Sequence, residues 1–354
     1  MSSMQTIKRF ANNKVANKIG ITVDDVQRCL AMWAEPHRFY HGLNHLFKIL
    51  DTIDVFWEDG VYDSVESREM IEIIALFHDV IYDPKAKDNE VKSADLFSGL
   101  ATDSSNSLTI YQAILDTDYG NWREPTSEES KEFRLLDWTD PLYHSSMFDL
   151  LTAEKQLLKE YQYVNYVEYK ENRLKFIKYA LEQSKSNEDK EMLYELHKWV
   201  ESYRPNIGVY AGSFNPFHIG HLNILEQAER VFDKVIILAA KNPDKGMLES
   251  FGDIDYVLPY HEIVRYDGLT SDYLDTVRSY ADVTLVRGLR NGYDLQYESN
   301  FRRYMEEMGE VEVVYYLSGT SFQHISSSDV RGLYKLDEAV YNQYIPSKYS
   351  YCRK

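Results

Sequence analysis

A strand that breaks into the start of a helix constrains this chain more than any other feature. Residues 207–211 form an apolar run that ends at Gly212, which predicts a buried strand. A helical pattern begins near Gly220, with His218 and His221 at its start. The N-terminus of a helix offers N–H groups to phosphate, and imidazoles there can stabilise a phosphoryl group in transfer. This layout is typical of an enzyme that acts on the α-phosphate of a nucleotide.

The same alternation of strand and helix continues towards the C-terminus. Further β-rich runs lie at 234–240, 283–286 and 311–317, and helical patterns lie near 222–231, 271–280 and 296–308. Such alternation predicts an α/β, Rossmann-like, doubly wound parallel sheet with helices on both faces. Ligands of these sheets bind beyond the carboxyl ends of the strands, where we expect Ser213 and Arg287.

The preceding residues, 1–203, show a different sequence pattern. Apolar residues recur every three or four positions, as at Leu46, Ile49 and Ile53, which predicts amphipathic helices. The sequence Arg-Pro-Asn at 204–206 interrupts this pattern. We therefore predict an all-α helical bundle at 1–203 and an α/β domain at 204–354.

Composition narrows the classes of function. With 354 residues the chain suggests two domains or more, and its net charge of −18 argues against binding nucleic acid or an anionic membrane. The 2 cysteines, Cys29 and Cys352, support neither a disulfide framework nor a cysteine zinc site. No apolar secretory core or bilayer-spanning run is evident, so we expect a cytoplasmic protein.

Four further groups of residues accompany the strand–helix motif. Lys245 can hold a phosphate as a point charge, and Arg287 and Arg290 can grip one through paired N–H donors. Residues 294–298 lie on the next helix, and the serines at 326–328 can cap a helix or bind an anion. Each group alone also fits a surface lysine, a structural arginine pair or a capped helix. Their joint occurrence in this order favours a nucleotide site.

Residues 206 to about 345 resemble a pantetheine-phosphate adenylyltransferase, within the nucleotidylyltransferase superfamily that carries a (His/Thr)-x-Gly-His motif. The motifs that occur in the family's order are Gly212-Ser213-Phe214, His218-Ile219-Gly220-His221, Lys245, Arg287-Gly288-Leu289-Arg290, Tyr297-Glu298 and Ser326-Ser327-Ser328. The resemblance implies transfer of AMP from ATP to 4′-phosphopantetheine with Mg²⁺, which gives dephospho-coenzyme A and pyrophosphate. It also implies a homo-oligomer, usually a hexamer.

The resemblance further implies roles for single residues. His221, with His218 nearby, contacts the ATP phosphates, and Ser213 lies between the two substrates. Lys245, Arg287 and Thr270 are implied on the acceptor side. The implied ATP-binding residues are Gly212, Ser213, Phe214, His221, Gly288, Leu289, Arg290, Glu298, Ser326, Ser327 and Ser328.

One segment departs from the family. Residues 246–264 are shorter, carry Pro259 and lack a clear helical period, although this segment helps to form the acceptor side in the family. Nicotinamide mononucleotide therefore stays open as the acceptor, although the Arg-Gly-Leu-Arg motif favours the pantetheine compound. A regulator that binds nucleotide without turnover is a further alternative.

The helical part carries its own polar pattern. His41 and His45 are four residues apart, which predicts that they lie on one helical face. His78 and Asp79 are adjacent, and Asp137 follows later, with Asp140 as a rival carboxylate. Such clusters on separate helices can converge on one divalent cation. Imidazole and carboxylate ligands suit Mn, Fe, Zn or Ni, and the sequence does not choose among them.

This order resembles the HD superfamily of metal-dependent phosphohydrolases, over residues 30 to about 180. The resemblance implies His45, His78, Asp79 and Asp137 as the metal ligands. It implies that His41 protonates the leaving group and that Glu90, within a motif at 88–94, assists. A metal at such a site generates hydroxide for attack on phosphorus. We therefore predict a bifunctional enzyme with an unknown phosphoester or nucleotide substrate at this site, and a purely structural helical domain is the alternative.

Overall fold

The structure is a computed structural model that describes residues 1–62, 64–119, 124–143, 146–184, 187–240, 254–308, 311–334 and 336–347. The chain divides into two compact units, Met1–Leu157 and Leu158–Lys354. No described helix is both long enough and apolar enough to cross a bilayer.

The first unit is helical, as its sequence predicts. Its helices are α1 (Ser3–Asn12), α2 (Lys14–Lys18), α3 (Val23–Trp33), α4 (Leu43–Glu58), α5 (Val65–Phe77), α6 (Asn89–Leu100), α7 (Ser105–Leu115), α8 (Glu128–Tyr143) and α9 (Met147–Glu160), the last of which runs into the second unit. Helix α5 is buried along every residue from Met70 to Phe77. A helical stretch that is buried on all sides belongs in a core, so this part of α5 lies at the centre of the unit, where α2, α3, α4, α6, α7 and α8 pack against the helix.

The second unit contains a five-stranded parallel sheet. Its elements are α10 (Tyr166–Gln183), α11 (Asn187–Ser202), β1 (Asn206–Gly212), α12 (Ile219–Ala228), β2 (Lys234–Ala240), α13 (Ile254–Val257), β3 (Ile263–Tyr266), α14 (Thr270–Arg278), β4 (Asp282–Leu289), α15 (Gly292–Met308), β5 (Val313–Leu317), α16 (Ser327–Tyr334) and α17 (Glu338–Tyr344). The strand order is β3-β2-β1-β4-β5, and all neighbours are parallel. The predicted Rossmann-like doubly wound sheet is confirmed.

Alternate residues of β1 and β2 lie on opposite faces of this sheet. Val209 and Ile236 pack on the face covered by α14, whereas Tyr210 and Ile237 pack on the face covered by α12. The chain winds outward from β1 in both directions, because β2 lies on one side of β1 and β4 on the other. The crevice that binds ligands in such folds opens between these diverging connections.

Strand β3 was missed by the sequence analysis. It has only four residues, from Ile263 to Tyr266, and none of them is fully buried. An edge strand this short carries little periodic signal. It pairs with β2 from Ile237↔Ile263 to Ala240↔Tyr266 and extends the sheet by one strand.

The second unit begins before the break that the sequence predicts at 203/204. The side chain of Lys234, at the start of β2, is 0% exposed, and its Nζ donates to the carbonyl oxygens of Gln162 and Val164. The same Nζ lies 2.9 Å from Glu262. The side chain of Tyr166 belongs to the core of the sheet. The segment before α10 therefore packs as part of this unit, while the assignment of functions to 1–203 and 204–354 stays a prediction.

We predict that Lys234→Ala destabilises the second unit by about 3–5 kcal/mol, because it leaves a buried carboxylate without its partner. Hydrogen exchange of the amides of β1 and β2 measures this loss directly. The matched control is Lys198→Ala, which removes a lysine whose partner Glu195 is 50% exposed, and it should leave exchange unchanged. Unchanged exchange in Lys234→Ala would show that the buried network does not stabilise the sheet.

Candidate active site and candidate metal centre

A cavity of about 360 Å³ lies at the carboxyl ends of β1 and β4. It occupies the point where the strand order diverges, as expected for this class of sheet. The predicted residues that line it are Gly212, Ser213, Phe214, His218, His221, Arg287, Gly288, Arg290, Glu298, Ser326, Ser327 and Ser328.

The start of α12 is built by the two predicted histidines. The Nδ1 atom of His218 accepts from the N–H groups of Gly220 at 3.2 Å and His221 at 3.3 Å. In return, the N–H of His218 donates to Nδ1 of His221 at 3.3 Å. The two rings stack with centroids 3.7 Å apart. Because Nδ1 of each ring is an acceptor, each ring is neutral and carries its proton on Nε2.

Burial explains why His218 stays neutral. The residue is 4% exposed, and this burial, with the positive charge of Arg290 in second place, lowers its pKa to about 4. The rings of Phe214 and Phe217 approach His221 at centroid distances of 5.2 and 5.5 Å. The imidazole pair is therefore held rigidly, with apolar rings beside the donors.

The turn after β1 needs a glycine. Phe214 adopts a φ of 41°, which returns its ring over Gly212. A Cβ atom on Gly212 would stand 2.9 Å from that ring, closer than van der Waals contact allows. Ser213 is thereby held at the mouth of β1, where it lines the cavity.

The two predicted arginines are each held by a carboxylate of α15. Arg287 donates through Nε and Nη2 to the two oxygens of Glu298, and through Nη1 to the carbonyl of Ala211 at 2.9 Å. Arg290 donates through Nε and Nη2 to Asp294 at 2.9 and 3.0 Å. These hydrogen bonds lower the pKa of Asp294. Glu298, expected to bind ATP, thus directs Arg287 in this structure.

The serine loop is tied to the turn that follows β1. Ser326 Oγ donates to Asp329 and accepts from its N–H at 3.2 Å, which caps the start of α16. Ser327 Oγ donates to the carbonyl of Pro216 at 3.4 Å. Arg331 donates to the carbonyl of Asn215. The loop therefore both caps α16 and forms one wall of the cavity.

Two predicted residues do not line the cavity, and nothing is described for a third. Leu289 is 4% exposed and packs in the unit without lining the cavity. Thr270 begins α14 and is not among the lining residues. Lys245 lies outside the described residues.

Sequence analysis also missed lining residues. They are Tyr210, Ala211, Ile224, Ser318, Phe322 and Ile325. Ser318 directly follows β5, so the rule that ligands bind beyond strand ends had the signal to find it. Gly288 permits the approach of Ile224, since a Cβ atom there would lie 2.9 Å from its Cγ1.

In the first unit, His45, His78 and Asp79 converge. Each offers one donor atom, and these atoms lie within 4.8 Å of one another. His45 lies on α4, and His78 caps the C-terminus of α5. His78 donates from Nδ1 to the carbonyl of Ala75 at 2.9 Å. The proton of the neutral ring is therefore on Nδ1, and the lone pair is on Nε2. That Nε2 is buried without a hydrogen-bond partner among the described residues.

Asp137 adds a fourth donor. Its Oδ1 lies 3.4 Å from Nε2 of His45 and 3.7 Å from Nε2 of His78. Tyr119 donates its hydroxyl to Oδ2 of Asp137 at 2.7 Å. Burial alone would raise the pKa of Asp137, but the hydrogen bonds and the nearby histidines hold it well below its ordinary value. The cluster therefore contains an ionised carboxylate beside two imidazoles, a donor set that suits a divalent transition metal.

The remaining predicted residues lie around this cluster. His41 does not share a helical face with His45, because α4 begins only at Leu43 and His41 lies in the preceding turn. Its ring is 5.7 Å from that of His45 and stacks on Tyr82 at 4.5 Å.

Two predicted acidic residues remain. Glu90 lies in the first turn of α6, where burial and then the charge of Asp79 raise its pKa. The side chain of Asp140 lies outside the described residues.

Comparison with known proteins bears on the second unit. Residues 209–333 match a family model described as cytidylyltransferase-like. A phosphopantetheine adenylyltransferase of Streptococcus pneumoniae is 34% identical over 146 residues, which cover 38% of this chain and 86% of that protein. A phosphopantetheine adenylyltransferase of Geotalea daltonii is 33% identical over 136 residues, which cover 37% of this chain and 84% of that protein.

We predict that the second unit loses stability as the pH falls from 6.5 towards 4. His218 has a pKa of about 4 when folded and 6.5 ordinarily, so the unfolded chain binds the proton first. A shift of this size corresponds to about 3 kcal/mol. Hydrogen exchange of β1 amides at pH 7 and pH 5 tests this in wild type and His218→Asn, which keeps a capping side chain. Equal pH dependence in the two proteins would contradict the prediction.

Proposed function

The chain belongs, through its C-terminal half, to the phosphopantetheine adenylyltransferase family, and from this premise we propose that it transfers AMP from ATP to 4′-phosphopantetheine. The products are dephospho-coenzyme A and pyrophosphate. The single observation that carries the proposal is the stacked histidine pair at the start of α12, which faces a cavity lined by Arg287 and Arg290.

The geometry supports transfer without a covalent enzyme intermediate. The acceptor phosphate attacks the α-phosphorus in line, and its new O–P bond forms as the bond to pyrophosphate breaks. The Nε2–H groups of His218 and His221 are donors for the negative charge that develops, because the Nδ1 atoms of both rings accept from main-chain N–H groups at the start of α12. Mg²⁺ enters as the complex with ATP and is part of the substrate. Positioning and charge stabilisation then account for the catalysis.

The choice of acceptor rests on the relatives and on Arg-Gly-Leu-Arg at 287–290. The segment at 241–253, which includes Lys245, lies outside the described residues, so nicotinamide mononucleotide is the acceptor to compare. Assembly into a homo-oligomer and a cytoplasmic location stay predictions.

We also propose that the first unit is a metal-dependent phosphohydrolase of the HD type. The observation that favours this is the buried Nε2 of His78, which converges with donor atoms of His45 and Asp79. With Asp137, these residues would hold a divalent metal such as Mn, Fe, Zn or Ni. A divalent metal in this set supplies an activated water for attack on phosphorus. His41 would deliver a proton to the leaving oxygen from the turn before α4.

We predict that full-length protein with ATP and Mg²⁺ releases pyrophosphate when 4′-phosphopantetheine is added and forms dephospho-coenzyme A. His221→Ala should lower kcat about 10²- to 10³-fold, because it removes a donor to the transition state. Mass analysis of the products, together with equilibrium ATP binding, measures both effects.

Nicotinamide mononucleotide is the control acceptor in that experiment. Turnover with the mononucleotide alone would reject the pantetheine assignment. ATP binding without turnover of either acceptor would favour a regulator. Unchanged turnover in His221→Ala would contradict its role as a charge-stabilising residue.

We predict that Mn²⁺ stabilises the first unit of the full-length protein by about 2.7 kcal/mol at 100 times its dissociation constant. His78→Ala should abolish this stabilisation, whereas His41→Ala should retain it. Hydrogen exchange of α4 and α5 measures binding, and phosphate release from a panel of nucleotides and phosphomonoesters measures activity. His41→Ala should bind Mn²⁺ and lose hydrolysis. If wild type shows no Mn²⁺-dependent protection, the metal proposal is wrong.

A further inference from the structure

We propose that Arg38 is a positioning residue that holds the metal ligand Asp79 through its main chain. The inference rests on the proposed metal centre of the first unit. It assigns a role to a side chain that belongs to neither the ligand set nor the implied proton donor.

The guanidinium of Arg38 is fully buried, with its side chain 0% exposed. Nη1 donates to the carbonyl oxygen of Asp79 at 2.6 Å, and Nη2 donates to that of Val80 at 2.9 Å. Both carbonyls lie just beyond the end of α5 at Phe77. Arg38 therefore binds the carbonyl groups of two successive residues in the turn that carries Asp79.

The guanidinium is itself fixed in orientation. Glu35 accepts from Nε at 3.1 Å and from Nη2 at 3.0 Å. The rings of Trp33 and Tyr82 lie 5.6 and 5.5 Å from the guanidinium carbon. The single ammonium of lysine cannot replace a planar guanidinium that makes several hydrogen bonds in fixed directions. The orientation of the two gripped peptide groups therefore depends on arginine in particular.

Arg38 also lies close to the start of α4, the helix that carries His45. Its main-chain oxygen would stand only 2.8 Å from a Cβ atom on Gly42, the residue that precedes α4. Its side chain reaches the end of α5, where His78 and Asp79 lie. Loss of these side-chain hydrogen bonds would therefore let Asp79 move relative to His45. Because outer contacts of this kind set ligand orientation, their loss typically weakens metal binding by about 10- to 100-fold.

The test measures Mn²⁺ affinity of full-length Arg38→Lys by titration of free Mn²⁺ with electron paramagnetic resonance. Binding that is lost in His78→Ala defines the site. The matched control is Arg9→Lys, since the side chain of Arg9 is only 11% exposed, donates to the carbonyl of Leu50 and pairs with Asp54 and Glu72. None of these three partners belongs to the ligand set.

We expect about 10- to 100-fold weaker Mn²⁺ binding in Arg38→Lys and wild-type affinity in Arg9→Lys. The visible spectrum of bound Co²⁺ should change only in Arg38→Lys, because its coordination reports the position of Asp79. Equal affinities in wild type and Arg38→Lys would overturn the inference and leave the metal centre standing. Equal weakening in both variants would reduce Arg38 to a structural role and overturn it as well.

A milder variant covers the case in which Arg38→Lys does not fold. Glu35→Gln keeps Arg38 but removes the charge that orients it, at a residue whose side chain is 42% exposed. It should weaken Mn²⁺ binding by less than Arg38→Lys does, and wild-type affinity in Glu35→Gln would overturn the inference. Absence of Mn²⁺ binding in wild type would remove the metal centre itself, and the inference with it.

Discussion

The parallel pairing of β1 with β2 on one side and β4 on the other determines where chemistry can occur in the second unit. Ile207 pairs with both Lys234 and Val283, so β1 lies at the centre of the sheet. The connections that leave its two neighbours cover opposite faces and open a crevice at the carboxyl edge. Three cavity residues directly follow or lie next to strand ends: Ser213 after β1, Arg290 after β4 and Ser318 after β5. The histidines of α12 enter the same crevice because α12 begins there.

Charge in this cavity is balanced before any ligand arrives. Two guanidinium groups are paired with two carboxylates of one helix, α15, so that the site is not an open basic patch. This arrangement suits a chain with a net charge of −18, where long-range attraction of nucleotide is weak. Affinity for phosphate must then come from short-range donors held in fixed directions, which is what the helix start and the paired arginines provide.

The sequence predicts the centre of the sheet well and its surroundings less well. Strands β1 and β2 each span seven residues and contain the apolar runs 207–211 and 235–240, which buried parallel strands require, and the histidine motif marks the start of α12. The pairing of Arg287 with Glu298 joins residues from a strand and a helix, and local spacing does not reveal it. The prediction that His41 and His45 share one helical face was wrong, because a spacing of four residues also occurs where a turn leads into a helix.

The buried ammonium of Lys234 has a consequence for the modularity of the chain. The residues that match the cytidylyltransferase-like family begin at 209. Lys234, however, donates to the carbonyl oxygens of Gln162 and Val164, which precede the matched residues. The residues that precede α10, together with Tyr166 of α10, thus form a layer of the second unit that lies outside the family match, rather than a linker between the two units. A free-standing relative without such a layer must expose this position to water or occupy it with an uncharged side chain. The residue at the first position of its second strand would therefore reveal, from sequence alone, whether a relative carries the same extension.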